Sequence, residues 1–282
     1  MDKISIVVTT YKFEDTLMRC LDSISNQEYE NYELIVVDSS NDSCIRKIVE
    51  QYPKAKYIKS KNYERSAKRN EGAELAEGKY LAIIDSDMIL DKTVISESYQ
   101  RFSGDESLRM LCIPERSSGH GFWSRCKSLE RSLYDKIIWM QAARVFKRET
   151  FIEFNGYDPE NIGSEDYELP RRVEYKYGTK CLSIIESKVT QQEGKITLLG
   201  QLRKKMYYSK SFVKYSQGIE TKESFKLQSS LAYRYWIFFK HSNKARENFP
   251  LWAGAILLKT LEFTAGGLGY IYYKSMSYVT KK

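Results

Sequence analysis

Two groups of carboxylates in this sequence are spaced for chemistry. Asp85-Ser86-Asp87 follows directly on the apolar run Tyr80-Leu81-Ala82-Ile83-Ile84, and Glu165-Asp166 follows Gly163-Ser164. Two acids bracketing one residue at a strand end lie close enough to repel unless a cation or a proton intervenes. Hard divalent ions prefer carboxylate oxygens, and magnesium commonly takes one or two of them together with substrate phosphates. The first group therefore predicts a site for a divalent metal, Mg or Mn, and a diphosphate, with Asp87 the first-choice ligand and Asp85 beside it. The strand context carries that reading, since a D-x-D tripeptide alone is common by chance. Ser164-Glu165-Asp166 reads locally as the cap of a helix as well as a chemical group, and the two roles can coexist.

The elements that must position these groups show as apolar runs. Ile4-Ser5-Ile6-Val7-Val8 and Glu33-Leu34-Ile35-Val36-Val37 are short, apolar and β-branched, as strands covered on both faces are. Between them Leu17, Leu21 and Ile24 recur at helical spacing behind Asp15 or Thr16, either of which suits an N-cap. A third strand is expected near 56–58, then a helix over about 65–77 closed by Gly78, and a fourth strand over 80–84. The alternation predicts an α/β fold with a Rossmann-like, mainly parallel central sheet flanked by helices. In such sheets ligands bind beyond the carboxyl ends of the strands. The residues there are Thr9-Thr10-Tyr11-Lys12, Asp38-Ser39-Ser40 and Asp85-Ser86-Asp87, although an acid in the place of Asp38 is as often a turn residue. Further strands are expected near 111–113 and 143–146, and helices after Ser124 and after Glu165.

A length of 282 residues allows one large α/β domain, or a domain of about 200 residues with an appendage. No low-complexity run points to long disorder. The formal charge is +8, and most of the excess lies beyond residue 195, in Arg203-Lys204-Lys205, Lys210, Lys214, Arg234, Lys240, Lys244, Arg246 and Lys281-Lys282. Interleaved with aromatic residues, that pattern suits an anionic membrane surface, and no nucleic-acid partner is predicted. The five cysteines form no C-x-x-C pair and read as reduced thiols. The first apolar segment, about five residues long, is too short for the core of a secretory signal. The expected location is therefore cytoplasmic, peripheral on the inner face of the cell membrane. Residues 251–273 are apolar but interrupted by Lys259, Glu262 and four glycines, unlike a transmembrane span. They read as an interfacial helix carrying Trp252, Tyr270, Tyr272 and Tyr273, or with equal weight as a tail packed on the protein or on the partner in a homodimer.

Taken in order, these segments resemble the family-two glycosyltransferases of the GT-A fold over residues 3–215. The run from Ile4 to Lys12 is similar to that family's opening strand and nucleotide-binding turn, and the run from Glu33 to Ser40 to the strand whose acid meets base and ribose. Arg65-Ser66-Ala67-Lys68-Arg69-Asn70-Glu71-Gly72, followed by Ala76-Glu77-Gly78-Lys79-Tyr80, is similar to the helix leading into the metal strand and is the most specific stretch. Gly163-Ser164-Glu165-Asp166-Tyr167-Glu168-Leu169, followed by Arg171-Arg172, resembles the acceptor-side acidic motif. The resemblance implies a donor site at Thr9, Thr10, Tyr11, Asp38, Arg65, Arg69, Asp85 and Ser86. It implies Asp166 as catalytic base, with Glu165, Arg171 and Arg172 on the acceptor side. Sugar transfer from a diphosphate needs such a proton acceptor beside the attacking hydroxyl, and neutralisation of the departing charge. The bland readings stand beside these: a solvated basic face for Arg65 and Arg69, surface salt bridges for Arg144, Arg171 and Arg172, and packing for Tyr11.

One departure bears on the metal. Relatives often carry a metal-reaching histidine near Val189-Thr190-Gln191-Gln192-Glu193-Gly194, where this chain has glutamines. Gln191 then becomes a neutral and weaker ligand, or Glu193 substitutes. Of the two histidines, His120 and His241, neither has ligand spacing, and His120 between Gly119 and Gly121 reads as part of a flexible loop. The expected division is a GT-A domain over 1–215 and a helical, basic and aromatic extension over 216–282. The partners implied are a nucleotide-sugar donor and a glycan or polyprenyl-phosphate-type acceptor, joined by inverting transfer. A nucleotidyltransferase, the first rival, usually relies on a glycine-rich loop after the first strand, and Thr9-Thr10-Tyr11-Lys12-Phe13 has no glycine. The second rival is a catalytically silent nucleotide-sugar-binding or membrane-scaffold protein, against which the presence of both Asp87 and Asp166 argues.

Overall fold

The computed structural model describes residues 1–11, 15–161, 163–218 and 222–279, so Lys12, Lys281 and Lys282 lie outside the described residues. The chain opens with β1 (Ile4–Thr10), α1 (Asp15–Ser25), β2 (Tyr32–Asp38), α2 (Ser43–Val49), β3 (Ala55–Lys59) and α3 (Arg65–Glu74). It continues through β4 (Tyr80–Asp85), β5 (Met88–Leu90), α4 (Val94–Gly104), β6 (Met110–Cys112), β7 (Glu115–His120) and α5 (Phe122–Ser132). Next come β8 (Ala143–Lys147), α6 (Arg148–Glu153), α7 (Glu165–Tyr177), β9 (Leu182–Ile184) and β10 (Val189–Lys195). The last segment is helical: α8 (Leu198–Gln217), α9 (Lys222–Ser229), α10 (Leu231–Lys240), α11 (Asn243–Glu247) and α12 (Phe249–Val279). These elements gather into two compact units, one of residues 1–115 and 141–192, the other of residues 116–140 and 193–282. The division expected at 215/216 falls inside α8, because the helical unit also takes in residues 116–140 and begins again at 193.

The first unit is built on a seven-stranded sheet of order β3-β2-β1-β4-β8-β6-β9. β1 pairs in parallel with β2 and β4, and β2 with β3, while β8 runs antiparallel to both β4 and β6. β1 and β4 are buried along their whole length, as expected of apolar runs covered on both faces. α1 buries Leu17, Cys20, Leu21 and Ile24, one stripe at helical period. The helix expected to run to about 77 instead ends at Glu74, and Gly78 joins β1 through its N–H, which donates to Ser5 Oγ at 2.8 Å. β5 and β9, three residues each, are too brief to show a period in the sequence, and β10, seven residues long, has an apolar residue only at Val189.

Gly72 sets how closely α3 can approach the sheet. A Cβ there would stand 2.4 Å from Val7 Cγ1 and 3.0 Å from Val37 Cγ2. Gly72→Ala is expected to destabilise the protein by about 1–3 kcal/mol through overpacking, although Ala favours a helix interior by about 1 kcal/mol. Urea unfolding at unchanged slope reads the difference. An unchanged or raised midpoint would show that β1 yields to the extra methyl.

In the second unit α12 packs along α8 and against α5. Cys126, Leu133, Ile237, Phe238, Ala255 and Leu258 form its apolar core. His120 closes β7 rather than sitting in a flexible loop, because Gly119 permits a close backbone approach: its Cβ would lie 2.3 Å from the Gly194 carbonyl oxygen. Lys259 and Glu262, which interrupt the apolar run of α12, are buried: Lys259 Nζ meets Glu130 Oε1 at 2.6 Å and Glu262 Oε2 at 2.7 Å. The interruption is thus an internal ion pair. Leu257, Leu268, Ile271 and Tyr272 leave an apolar stripe of the same helix exposed. Among the described residues no helix is long and apolar enough to cross a membrane. The five cysteines are free thiols, and all but Cys44 are buried.

Candidate active site

The parallel register fixes which residues share the sheet edge. Thr9 stands level with Val37 on one side and Asp85 on the other, and Thr10 stands level with Asp38. Both threonines are buried, and Tyr11 beyond them is exposed, edge-on to Tyr63 at 6.2 Å. Asp38 is fully buried and hydrogen-bonded at both oxygens: Ser40 N–H donates to Oδ1 at 2.7 Å, while Ser40 Oγ at 3.0 Å and Tyr57 OH at 2.9 Å donate to Oδ2. Its geometry is that of a turn acid.

Arg69 is the hub of the site. Its guanidinium is fully buried and donates to Asp85 Oδ1 at 2.6 Å, Asp166 Oδ1 at 2.7 Å and Glu165 Oε1 at 3.3 Å. The Tyr157 ring lies under it, 5.3 Å away. Burial alone would favour its neutral form, but Asp166 and Asp85 outweigh burial and raise its pKa further. Arg65, one turn earlier on α3, donates to Glu165 Oε1 from Nε at 3.0 Å and from Nη2 at 2.6 Å. Arg69 is thus no part of a solvated basic face, and Arg65, its side chain partly exposed, is tied to Glu165. Arg144 on β8 is buried as well, held by two hydrogen bonds to Glu115 Oε1 at 2.9 and 2.6 Å. It also lies 3.6 Å from Asp85 Oδ2 and 3.8 Å from Asp166 Oδ2.

The two acids of the D-x-D group live in opposite environments. For Asp85, burial would raise the pKa, but Arg69, Arg65 and Arg144 outweigh it and hold the carboxyl well below the usual range. For Asp87, burial and the charge of Asp85 push the pKa up, and the hydrogen bond from Gln191 only partly opposes them. Gln191 Nε2 donates to Asp87 Oδ2 at 3.1 Å, brought there by β10 pairing with β5 so that Gln191 stands level with Met88. Asp87 Oδ1 is buried with no hydrogen-bond partner. Such an orphaned buried carboxylate oxygen demands compensation.

The charge inventory points the same way. Asp85, Asp87, Glu115, Glu165 and Asp166 face three guanidiniums, those of Arg65, Arg69 and Arg144, which leaves an excess of two negative charges. Among the described residues no three His, Cys, Asp or Glu side chains converge as a metal cage. The donor set fits a hard divalent ion: Asp87 would hold it, and it would supply charge neutralisation to a bound diphosphate. Glu193 is engaged elsewhere, accepting from Ser117 Oγ at 2.6 Å and Arg131 Nη2 at 3.3 Å.

On α7, Ser164 is the N-cap residue, but its hydroxyl donates to Asn161 Oδ1 and accepts no bond from the helix N–H groups. Glu165 is buried and takes the Gly163 N–H along with the two arginines, so it orders the entry to the helix. Asp166 keeps partial access to solvent, its side chain 16% exposed. Arg171 pairs with Glu174, and Arg172 donates to Glu168 Oε2 at 3.0 Å, Phe154 O at 2.7 Å and Gly156 O at 2.8 Å. Arg172 thus ties α7 to the turn at 154–156, whereas the Arg171 pair stays within α7 and leaves its buried Nε without a hydrogen-bond partner. Lys68, quoted in the sequence only as part of a motif, is buried and clamps the ends of β1 and β2 by donating to Thr10 O at 2.8 Å and Ser39 Oγ at 2.9 Å. Its place between Arg65 and Arg69, in a stretch with no apolar face, was the available signal.

Known proteins agree with this architecture. The family profile described as "Glycosyl transferase family 2" matches residues 5–160. Over 105 residues the chain is 34% identical to "Glycosyltransferase GlyA" of Streptococcus pneumoniae, an alignment covering 36% of this chain and 15% of that protein. This chain thus spans far less than two thirds of that relative. Among solved structures, "Mannosyltransferase PcManGT from Pyrobaculum calidifontis in complex with GDP-Man and Mn2+" superposes with a TM-score of 0.68 at 15% identity, covering 95% of this chain and 87% of its own. Residues 1–349 of S. aureus TarS in complex with UDP-GlcNAc give 0.54 at 14% identity, over 97% and 92%. At such identities these likenesses speak to the fold alone.

Proposed function

This chain belongs to glycosyl transferase family 2, and we propose that it moves a sugar from a nucleoside-diphosphate donor to an acceptor hydroxyl or phosphate, with inversion. One observation carries the reading: Arg69 holds Asp85 Oδ1 at 2.6 Å and Asp166 Oδ1 at 2.7 Å, so a donor-side and an acceptor-side acid flank one buried guanidinium. The nucleotide lies along Thr9, Thr10 and Tyr11, and its diphosphate approaches Asp87. A bound Mg or Mn supplies charge neutralisation to the departing diphosphate. Asp166 takes the acceptor proton as the acceptor oxygen bonds to the anomeric carbon and the bond from that carbon to the phosphate oxygen breaks. Glu165 positions Arg65 and Arg69, and Arg144 keeps Asp85 and Asp166 apart in charge.

The acceptor is lipid-linked, and the protein works at an anionic membrane surface. The exposed Trp236, Phe239, Phe249 and Leu268 on α10 and α12, together with the basic composition beyond residue 195, support that part. A turnover assay over a panel of nucleotide sugars with Mn tests the whole. Free nucleoside diphosphate, formed faster with anionic than with neutral vesicles carrying a polyprenyl phosphate, is the expected result. Pyrophosphate would assign nucleotidyl transfer instead, donor binding without product a silent role, and equal rates on both vesicles would remove the membrane from the reading.

A further inference from the structure

The helical unit contains a cavity of about 400 Å³ whose walls join charge to apolar surface. That is within the range of pockets for small organic ligands. Phe212, Leu231 and Phe263 line it together with Lys205, Arg234 and Lys259, and the Phe263 ring lies 6.0 Å from the Arg234 guanidinium and 5.8 Å from Lys259 Nζ. The cations do not balance internally. Lys259 is matched by Glu130 and Glu262, and Glu262 Oε1 also faces Lys127 Nζ at 3.5 Å. Glu262 also attracts Lys205, so two carboxylates, Glu130 and Glu262, are shared among Lys127, Lys205 and Lys259, and Arg234 pairs with neither.

Lys205 and Arg234 retain spare donor capacity. Among the described residues Lys205 makes no hydrogen bond or close ion pair. Glu262 draws its pKa upward, but burial and the ammonium groups of Lys127 and Lys259 outweigh that pull and hold it at about 8. Arg234 donates to the Gln228 carbonyl oxygen at 3.2 Å, lies 5.0 Å over the Tyr134 ring, and leaves its buried Nε without a partner. A positive excess inside a partly apolar cavity is unfavourable unless an anion completes it.

The space is also kept open. Gly266 and Gly267 line the cavity from the middle of α12, and nothing lies within 4 Å of where a Cβ would stand on either. Each glycine weakens a helix interior by about 1 kcal/mol relative to Ala, and no tight packing against a neighbour requires their smallness. We propose that this cavity binds a phosphate-bearing amphiphile, its headgroup against Lys205 and Arg234 and its apolar chain along Phe212, Leu231 and Phe263. The site lies within the helical unit and does not rest on sugar transfer, so its test reads binding alone, with no donor present.

Calorimetry on the full chain with geranyl phosphate, geraniol and inorganic phosphate distinguishes the sources of the anion. Saturable binding of geranyl phosphate, with much weaker binding of the alcohol and of free phosphate, is expected. Lys205→Met should weaken it by about 10- to 100-fold, as loss of one charge-assisted hydrogen bond does. Gly266→Leu fills the cavity while favouring the helix, and should abolish binding with the circular dichroism spectrum unchanged. Equal affinity for inorganic phosphate would reduce the site to a simple anion pocket and overturn the amphiphile. No binding by the unaltered chain, or undiminished binding in both variants, would overturn the site itself.

Discussion

Asp166→Asn is expected to leave donor affinity near its original value and to lower the single-turnover rate of sugar transfer by about 10²–10⁴, the usual span of a general base. The amide has the size of the carboxylate, and its oxygen can still accept from Arg69 Nη1, now 2.7 Å from Asp166 Oδ1. The scaffold around it should survive, because Glu165 and Asp85 continue to hold the same guanidinium at 3.3 and 2.6 Å. What the amide lacks is a basic oxygen for the acceptor proton. Glu165→Gln is the informative contrast. Glu165 bonds Arg65, Arg69 and the Gly163 N–H and is 1% exposed, so its loss should lower stability and donor binding together. Near-normal single-turnover transfer by folded Asp166→Asn would assign proton removal to another group.

How far the sequence reaches depends on whether a residue's partner is local. β1, β2 and β4 were legible because a parallel strand buried on both faces must be apolar throughout, and their ends then mark the ligand edge. α7 was legible from its acidic first turn. The arginines were not. Arg65 and Arg69 read as a helix face, and nothing local says that the face is turned onto Glu165 and Asp166, about a hundred positions away in the chain. Arg144 sits on a strand, and only the antiparallel insertion of β8 between β4 and β6 carries it to Asp85 and Glu115. Asp38 was legible as a strand-end acid suited to a ligand or to a turn, and its bonds from Ser40 and Tyr57 show the turn role while leaving Oδ1 with a single bond. Lys259 and Glu262 were taken as breaks in an apolar segment, because a buried ion pair within one helix turn cannot be told from two solvated charges until Glu130 arrives from α5.

The second large effect concerns Asp87. Its Oδ1 is buried without a partner, and its carboxylate lies beside the charge of Asp85, which burial and Asp85 register as an upward shift of its pKa. An arrangement that weakens the metal-free protein is best explained by what it gains on binding. Asp87→Ala removes the orphaned oxygen and the repulsion, and leaves the half-buried Gln191 amide able to turn to water. The metal-free variant is therefore expected to be more stable, by about 1–3 kcal/mol, the range for an unsatisfied buried polar group. The same change should weaken Mn-dependent donor binding by more than about 100-fold, beyond the 10- to 100-fold typical of groups that only support a metal ligand. Urea unfolding without metal gives the first quantity, and calorimetry with donor and a Mn series gives the second. Opposite signs in the two measurements are the signature of a residue kept for binding and not for the fold. Lower stability with unchanged metal dependence would make Asp87 a structural acid and move the cation elsewhere along the sheet edge.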